Sequence, residues 1–334
     1  MSDGRGRPRP RPAGGPPLGE LSPPAGEPGA RPDAAFRSGF ACFVGRPNAG
    51  KSTLLNALVG SKVAITSARP QTTRHAIRGV LTRPDTQLVL VDTPGLHRPR
   101  TLLGQRLNDI VRTTLAEVDV VCFCVPADEK VGPGDRYLAA ELRRLSPRTP
   151  VVAGVTKADV VTDRDALGAQ LLAVAALGEW AEVVPVSAVA GHQLGLLGDL
   201  LAARLPTGPL LYPEGQLTDE PESVLIAEFV REAALEGVRD ELPHSLAVTV
   251  EEMRAREGGQ GDVGLLDVYV TVWVERPSQK AIVIGRGGRR LKEVGTTARR
   301  HIEALLGTRV YLDLHVKVAK DWQRNPKQLR RLGF

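Results

Sequence analysis

The chain has 334 residues, enough for two domains with separate hydrophobic cores. Its 42% hydrophobic and 25% charged residues are typical of a globular protein, and no apolar run reaches the roughly 18 residues of a membrane span. The net charge is +6, but residues 276–334 carry 15 Lys and Arg against 4 Asp and Glu. This basic end predicts contact with a polyanion, either nucleic acid or an anionic membrane surface.

The N-terminal stretch 1–37 is dominated by Pro, Gly and Arg, and it has no apolar segment, which excludes a secretory signal. The same composition predicts disorder. Three cysteines, Cys42, Cys122 and Cys124, lie in the apolar runs FACFVG and VVCFCV. We expect buried, reduced thiols of a cytoplasmic protein, because a metal site needs more ligands at a different spacing.

Residues 38–205 alternate between short apolar runs and helical segments. Strands are predicted at FACFVG, AIRGVLTR, TQLVLVD, DVVCFCV, PVVAGVTK and EVVPVSA, and helices at KSTLLNALVG, DRYLAAELRRL, 165–177 and LGLLGDLLAARL. The alternation predicts an α/β domain with a mostly parallel sheet covered by helices. Residues 206–222, PTGPLLYPEGQLTDEPE, are rich in Pro and polar residues and are predicted to link two domains.

Residues 223–334 follow a different order of elements. SVLIAEFVREAALEGV has helical spacing, and HSLAVTVEEMRARE and GLLDVYVTVWVER alternate as two strands joined by the glycine-rich GGQGDVG. A short helix from about Gln279 leads into the turn GRGG, a longer helix covers 289–306, and RVYLDLHVKV is the last strand. The order α-β-β-α-α-β predicts a small α+β domain with the glycine turn between its last two helices.

The stretch GRPNAGKST, residues 45–53, fits the phosphate-loop pattern G-x-x-x-x-G-K-[ST] between a predicted strand and an apolar helix. Its glycines allow backbone N–H groups to face a phosphate chain, Lys51 reaches the β- and γ-phosphates, and Ser52 can bind Mg²⁺. The predicted nucleotide contacts in this loop are Gly45, Arg46, Pro47, Asn48, Ala49, Gly50, Lys51, Ser52 and Thr53.

Four more stretches follow in the order that a GTPase requires. Asp92 in DTPG can hold Mg²⁺ through water, the Gly95 N–H can meet the γ-phosphate, and Thr73 in PQTTRH is the predicted residue that completes the magnesium shell. Asp159 in TKAD can accept from the ring N–H and the exocyclic amine of guanine, a donor pair that adenine lacks. The other predicted nucleotide contacts are Thr93, Pro94, Leu96, Thr156, Lys157, Ala158, Ser187 and Ala188.

The base-reading stretch starts with Thr156, where the usual motif has Asn. A hydroxyl offers fewer hydrogen bonds than a carboxamide, so a bond to the base or to the phosphate loop is expected to be lost. We expect guanine selectivity to survive, because Asp159 carries it, and nucleotide affinity to be the property at risk. The Lys157 stem would cover the base, and SAV at 187–189 would offer an N–H to the guanine carbonyl.

With these motifs the chain resembles the Era GTPases, a family of bacterial ribosome-assembly factors. The resemblance rests on GRPNAGKSTLLNALVG, SARPQTTRH, VDTPGLH, ELPHSLAV, VIGRGG and LDLHVKV, and it covers residues 38–334. It implies a GTPase domain at 38–205, a linker at 206–222 and a type II KH domain at 223–334 that binds RNA. The implied partners are the 3′ end of 16S ribosomal RNA and the immature 30S subunit. The family also implies peripheral membrane contact, and we expect a cytoplasmic monomer.

In KH domains a GxxG turn holds about four nucleotides of single-stranded RNA along their backbone. Here the turn is Gly285, Arg286, Gly287 and Gly288, and Arg289 and Arg290 follow it. Glycines allow the sugar-phosphate chain to approach, the helix N-terminus faces the phosphates, and the arginines add positive charge. The alternative is a simple helix cap with incidental arginines.

Hydrolysis needs a water oriented toward the γ-phosphate. Leu96 stands where Ras-like enzymes have Gln and cannot orient water; His97 is a candidate base, although a loop histidine without a catalytic role is the commoner case. In GTPases similar to this one, an Asn of the phosphate loop helps to hold K⁺, and Asn48 has that position. We expect slow, potassium-assisted hydrolysis with GTP, GDP and Mg²⁺ as ligands. The predicted catalytic set is Asn48, Lys51, Thr73, Asp92 and Gly95.

Three functions fit these features. A GTP-dependent switch on ribosomal RNA uses all of them. An RNA-binding scaffold with a structural nucleotide is the second, although intact Lys51, Thr73 and Asp92 favour hydrolysis. A membrane-surface GTPase is the third, and it would need helix 289–306 to expose an apolar face, whereas the apolar positions of that helix suit packing against the sheet.

Overall fold

The computed structural model describes residues 36–67, 72–95, 101–236, 245–256 and 264–334. Several predictions therefore fall outside the described residues: the tail up to residue 35, Leu96 with His97, the ELPH part of the second-domain motif, and nearly all of GGQGDVG. Within the described part of the chain, no helix is long and apolar enough to cross a membrane.

The first domain is built on a six-stranded sheet with the order β2-β3-β1-β4-β5-β6. Its strands are β1 Arg37–Gly45, β2 Ile77–Arg83, β3 Thr86–Asp92, β4 Val120–Pro126, β5 Val151–Thr156 and β6 Glu182–Pro185. Only β2 and β3 pair antiparallel, so the predicted mostly parallel sheet is confirmed. Every residue of β3 and β4 is buried, because helices cover both faces of the sheet.

The helices of the first domain are α1 Lys51–Val59, α2 Leu102–Glu117, α3 Pro133–Leu145, α4 Arg164–Ala175 and α5 Leu194–Ala202. α1 and α5 bury Leu54 and Leu201 against one face of the sheet, and α2 and α3 bury Val111 and Leu142 against the other. All three cysteines are buried free thiols, as predicted. β1 begins at Arg37, three residues before the predicted strand and inside the predicted tail, because it pairs with β3 from Arg37 onward.

Helix α2 is missing from the predicted elements, although its sequence carries the signal of a helix. The Thr101 side chain caps it by accepting a hydrogen bond from the Gly104 N–H at 3.1 Å. Leu103, Leu107 and Val111 recur every four residues and are all buried. The omission matters because α2 is the first described element after the DTPG stretch.

The predicted linker lies along the first domain rather than crossing solvent. The Gln87 side chain donates to the Tyr212 carbonyl at 2.9 Å and accepts from the Leu211 and Tyr212 N–H groups at 2.7 and 2.9 Å. The Val80 N–H of edge strand β2 donates to the Leu217 carbonyl at 2.8 Å. The Val80 bond covers part of a strand edge that would otherwise be open to pairing with another chain.

The second domain is a three-stranded sheet, order β7-β8-β9, packed against helices. Its elements are α6 Glu222–Leu235, β7 Ala247–Arg256, β8 Leu265–Val274, α7 Pro277–Ile284, α8 Arg289–Leu306, β9 Arg309–Val318 and α9 Pro326–Arg331. β7 and β8 are antiparallel, whereas β8 and β9 are parallel. Val294, Ala298 and Ile302 of α8 are buried in this core, as predicted. The prediction stopped at β9 and missed α9, and it began α7 two residues too late.

The two domains share an apolar cluster. Leu103 and Leu107 of α2 pack with Trp273 of β8 and with Trp322 and Leu329 from the segment after β9. Trp322 is fully buried, and its indole N–H donates to the Ser245 carbonyl at 3.0 Å. The two domains are therefore in direct contact, and the missed elements α2 and α9 both contribute to that contact.

Candidate nucleotide site and nucleic-acid interface

The phosphate loop connects β1 to α1 through backbone that few residues adopt. Gly50 has φ 81° and Asn48 has φ 64°, and the Ala49 N–H donates to the Arg46 carbonyl at 3.2 Å. Gly45 must be glycine, because a Cβ there would lie 2.5 Å from the Cys124 carbonyl oxygen. The loop thus brings backbone N–H groups to one edge of a cavity of about 690 Å³.

Lys51 opens α1 and is 7% exposed. Its Nζ donates to the carbonyls of Gly45 and Arg46 at 3.1 and 3.0 Å. Burial lowers the pKa of Lys51, and the carboxylate of Asp92 opposes this shift. These bonds hold the Lys51 ammonium as a fixed positive charge at the wall of the cavity. A phosphate group bound in the cavity would lie beside it.

The three predicted magnesium ligands converge. The Ser52 and Thr73 hydroxyls donate to Asp92 Oδ2 at 2.6 and 2.9 Å and lie 3.2 Å from each other. Burial raises the pKa of Asp92, while Lys51 and the two hydroxyls lower it. Asp92 Oδ1 is buried and has no hydrogen-bond partner among the described residues. Hydroxyl and carboxylate oxygens around such an orphaned atom fit a hard cation such as Mg²⁺.

The predicted base-reading residues Lys157, Asp159, Ala188 and Val189 line the same cavity. Thr156 also lines it, and its hydroxyl donates to the Ala49 carbonyl of the phosphate loop at 2.8 Å. Of the two bonds expected to be at risk, to the base or to the phosphate loop, the bond to the loop is therefore kept.

Some predicted contacts lie behind the cavity wall. The Arg46 side chain does not line the cavity but pairs with Asp135 at 2.7 Å and with Glu129, which does line it, at 3.1 Å. The Thr93 hydroxyl donates to the Phe43 carbonyl at 2.8 Å in the buried core. The predicted contacts that line the cavity are Pro47, Asn48, Gly50, Lys51, Ser52, Thr53, Thr73, Gly95, Thr156, Lys157, Asp159 and Ala188. Those that do not line it are Gly45, Arg46, Ala49, Asp92, Thr93, Pro94, Ala158 and Ser187.

The second glycine turn joins α7 to α8. Gly285, Gly287 and Gly288 have φ values of 72°, 60° and 75°. A Cβ on Gly285 would lie 2.7 Å from the Arg290 Cβ, whereas a Cβ on Gly287 or Gly288 would meet no atom within 4 Å. The turn therefore needs its first glycine for its own packing and leaves open space above the other two.

The three arginines of this turn differ. Arg286 and Arg289 are exposed, as a phosphate contact requires. Arg290 is half-buried, and its Nη2 donates to the carbonyls of Ala234 and Glu236 at the end of α6, at 3.2 and 2.5 Å. The side chain of Arg290 thus satisfies helix-end carbonyls, so its predicted role as a phosphate contact is not supported by its geometry.

Comparison with known proteins decides the family. A model described as 50S ribosome-binding GTPase matches residues 40–157, and a model described as KH domain matches residues 241–323. GTPase Era of Streptomyces coelicolor is 67% identical over 307 residues, which cover 90% of this chain and 96% of that protein. GTPase Era of Nocardioides sp. is 63% identical over 311 residues, covering 92% and 99%. This chain belongs to the Era family of GTPases.

Solved Era structures share the whole architecture. A crystal structure of Era with MgGDPNP and nucleotides 1506–1542 of 16S ribosomal RNA has a TM-score of 0.84 and 36% identity, covering 89% of this chain and 99% of that chain. An Era variant from Aquifex aeolicus bound to GDP·AlF4⁻ has a TM-score of 0.83 at the same identity and coverage. The fold is therefore that of Era: a GTPase domain with a mostly parallel sheet, then a KH domain.

Several residues that line the cavity of this Era-family chain were not predicted from the sequence. Thr66, Ser67 and Thr72 line the cavity, and so do Glu129 and Val160. The first three carry hydroxyl groups within seven residues of the predicted Thr73, which was the available signal for them. Glu129 has no motif signal: it reaches the cavity because it pairs with Arg46 and lies 3.9 Å from the Lys157 ammonium.

Proposed function

We propose that this GTPase is a switch that binds the 3′ end of 16S ribosomal RNA through its KH domain and assists maturation of the 30S subunit. The pairing in one chain of a cavity lined by the predicted nucleotide contacts with an open GRGG turn carries this proposal. The Era structure with nucleotides 1506–1542 of 16S ribosomal RNA, at 36% identity, supports the choice of RNA. GTP binding would set the RNA competence of the KH domain, and hydrolysis would release the protein.

Ser52, Thr73 and Asp92 would hold Mg²⁺ in this switch. Bound there with a nucleotide, the ion neutralises charge that develops on the β- and γ-phosphate oxygens. Lys51 binds the same phosphates from the loop, and the Gly95 N–H meets the γ-phosphate. The Era structure containing MgGDPNP supports this assignment of the ion and of GTP and GDP as ligands.

Turnover is proposed to be slow and assisted by K⁺. Leu96 offers no group that can orient water, so another group must stabilise the transition state, and a cation beside the β- and γ-phosphates can do so. Asn48 lines the cavity, and its positive φ holds it at the phosphate end of the loop, which supports its role in holding K⁺ beside the phosphates. Hydrolysis should be faster in potassium than in sodium chloride, and Asn48→Ala should remove most of that difference. An equal loss in His97→Ala would contradict this ranking.

The RNA assignment is tested by crosslinking the protein to RNA in cells and sequencing what is bound. Sequence reads should concentrate at the 3′ end of 16S ribosomal RNA. Reads spread over many unrelated transcripts would reject the proposed partner.

The nucleotide assignment has its own test. GTP and GDP should bind with Mg²⁺ while ATP is rejected, because Asp159 requires the pair of donors that guanine offers and adenine lacks. Equal affinities for ATP and GTP would reject the nucleotide assignment.

Two other functions have their own tests. A scaffold with a structural nucleotide would release no phosphate in a single-turnover assay, whereas the proposed switch releases one phosphate per bound GTP. A membrane-surface protein would exchange bound RNA for anionic vesicles in a competition assay. We expect no such exchange, because Val294, Ala298 and Ile302 of α8 are buried in the core and leave this helix no apolar face for lipid. We place the switch in the cytoplasm as a monomer, and any contact with the cytoplasmic face of the membrane would be peripheral.

A further inference from the structure

The KH domain holds the segment that carries Thr73, and α6 is the element that does so. Glu232 of α6 is 4% exposed. Its Oε1 accepts from the Thr66 N–H at 2.7 Å and from the Thr66 hydroxyl at 3.1 Å. Thr66 itself lines the nucleotide cavity. One carboxylate of the second domain is thus bonded directly to the wall of the GTP site.

The next contact lies beside Thr73. Arg231 is 2% exposed and forms two bonds with the Glu228 carboxylate, at 2.8 and 2.6 Å. The guanidinium Nη2 of Arg231 also donates to the Thr72 carbonyl. A buried charge is costly unless it is paired, so Glu228 fixes the position of Arg231, and Arg231 in turn fixes the backbone one residue before Thr73.

A third contact lies on the other side of Thr73. Arg74 is fully buried, and its Nη1 donates to the Leu246 carbonyl of the second domain at 2.6 Å. Its guanidinium also lies over the rings of Trp322 and Phe334, 5.6 and 6.0 Å from their centroids. Cation–π contacts of this kind are strongest when they are shielded from water.

Thr73 therefore sits between two arginine–carbonyl bonds that cross the domain boundary, one at each neighbouring residue. Its own hydroxyl points the other way, to Asp92 and Ser52. In many GTPases the segment that carries this threonine becomes ordered only by the γ-phosphate and Mg²⁺. Here two buried guanidinium groups already hold the backbone around it.

We infer that Arg231 and Arg74 are positioning residues of the GTPase site: through the second domain they hold Thr73 where it can bind Mg²⁺ beside the γ-phosphate. The inference rests on the proposed magnesium role of Thr73. It makes the KH domain a structural part of the GTP-bound site, in addition to its proposed role as the RNA-binding domain.

The test compares the affinities for a non-hydrolysable GTP analogue and for GDP over a range of Mg²⁺ concentrations, using the full-length chain. In Arg231→Gln the analogue should bind about tenfold more weakly at limiting Mg²⁺, the order expected for one lost hydrogen bond from a charged group. GDP affinity should stay within about twofold of wild type, since Thr73 is needed only when a γ-phosphate is present. Unchanged GDP affinity also shows that the variant is folded.

Arg204→Gln is the matched control. Arg204 also donates to a backbone carbonyl, that of Leu200 at 2.6 Å, and lies near a carboxylate, that of Glu182 at 3.8 Å, but it is remote from Thr73 in the chain and does not line the cavity. Its substitution should leave both affinities unchanged at every Mg²⁺ concentration. If Arg231→Gln is too unstable to purify, Arg231→Lys, which keeps the charge but not the fork of donors, should show a smaller loss in the same direction.

Thr73→Val separates the two ideas. If Thr73→Val leaves the Mg²⁺ dependence of analogue binding unchanged, the proposed magnesium role of Thr73 is wrong. If Thr73→Val weakens analogue binding while Arg231→Gln and Arg231→Lys match wild type, the magnesium role stands and the positioning role is overturned. A loss shared by the analogue and GDP in Arg231→Gln would also overturn it, because the effect would then be general.

Discussion

Two glycine turns open a helix in this molecule, and both are suited to phosphate, but their surroundings differ. At the first turn, Gly50 has φ 81° and Lys51 is almost buried at the wall of a cavity of about 690 Å³. At the second, Gly288 has φ 75°, yet neither Gly287 nor Gly288 has an atom within 4 Å of the place a Cβ would take. The backbone geometry is similar, whereas the enclosure is not.

The difference shows what each turn can bind. At the first, enclosed turn, backbone N–H groups and the Lys51 ammonium meet at one cavity, where they can contact one small ligand of fixed shape from several sides. An open turn cannot enclose a ligand, but it lets a continuous sugar-phosphate chain pass, with exposed Arg286 and Arg289 adding charge. The same local device thus serves a nucleotide in one domain and, as we propose, an RNA strand in the other.

The strongest way to break this comparison is to make the open turn negative. Arg286→Asp combined with Gly287→Asp changes the local charge by three units, each worth about 1 kcal/mol against a phosphate 4 Å away in water. RNA affinity should fall on the order of 100-fold and lose most of its salt dependence. Asp tolerates the left-handed backbone of Gly287, so the fold should persist. GTP turnover on the same protein should be nearly unchanged, and unaltered RNA affinity would mean that the turn is only a helix cap.

A second prediction concerns stability within the open turn. Gly285→Ala places a Cβ 2.7 Å from the Arg290 Cβ, whereas Gly287→Ala meets open space. Both substitutions strain a positive φ, at about 1–2 kcal/mol each, and Gly285→Ala adds about 1–3 kcal/mol of overpacking. Chemical denaturation should therefore show the larger loss of unfolding free energy in Gly285→Ala. Equal losses would show that the turn rearranges.

Thr156 gives a smaller effect at the enclosed turn. Thr156→Val removes the hydroxyl that bonds to the Ala49 carbonyl, which should weaken GTP and GDP binding by about 0.5–1.5 kcal/mol. Thr156→Asn should leave affinity equal or improved, because a carboxamide can donate to the same carbonyl. Isothermal titration of both variants measures this. A loss in Thr156→Asn as large as in Thr156→Val would show that this site depends on the shape of threonine.

The smallest effect separates two adjacent arginines. Arg289→Ala should reduce the dependence of log affinity on log salt by about one unit, as expected for one phosphate contact. Arg290→Ala should leave that slope unchanged and instead lower the melting temperature, because Arg290 is bonded to the carbonyls of Ala234 and Glu236. Equal salt slopes for the two variants would mean that Arg290 turns toward RNA when it binds.

The enclosed turn was largely predictable because its chemistry is local. Five motifs in order placed Lys51, Thr73 and Asp159 at one cavity. Four of them follow parallel strands that end at one sheet edge, and the Thr73 stretch precedes β2, which starts at that edge because it is antiparallel to β3. The side chains that cross between domains were not predictable. Arg74 and Arg231 look like surface charges in sequence, and only tertiary packing buries them together. The bonds of Arg290 to Ala234 and Glu236 were not predictable for the same reason.

A saturation experiment tests most directly whether the two turns hold two different phosphates at once. A fluorescent, non-hydrolysable GTP analogue is bound to the wild-type protein with Mg²⁺, and single-stranded RNA with the sequence of the 16S 3′ end is then added to saturation. Two separate sites predict a complex that contains both ligands, with the analogue still bound when RNA binding is complete. Release of one analogue molecule for each RNA bound would contradict the assignment, because the two phosphates would then share one site.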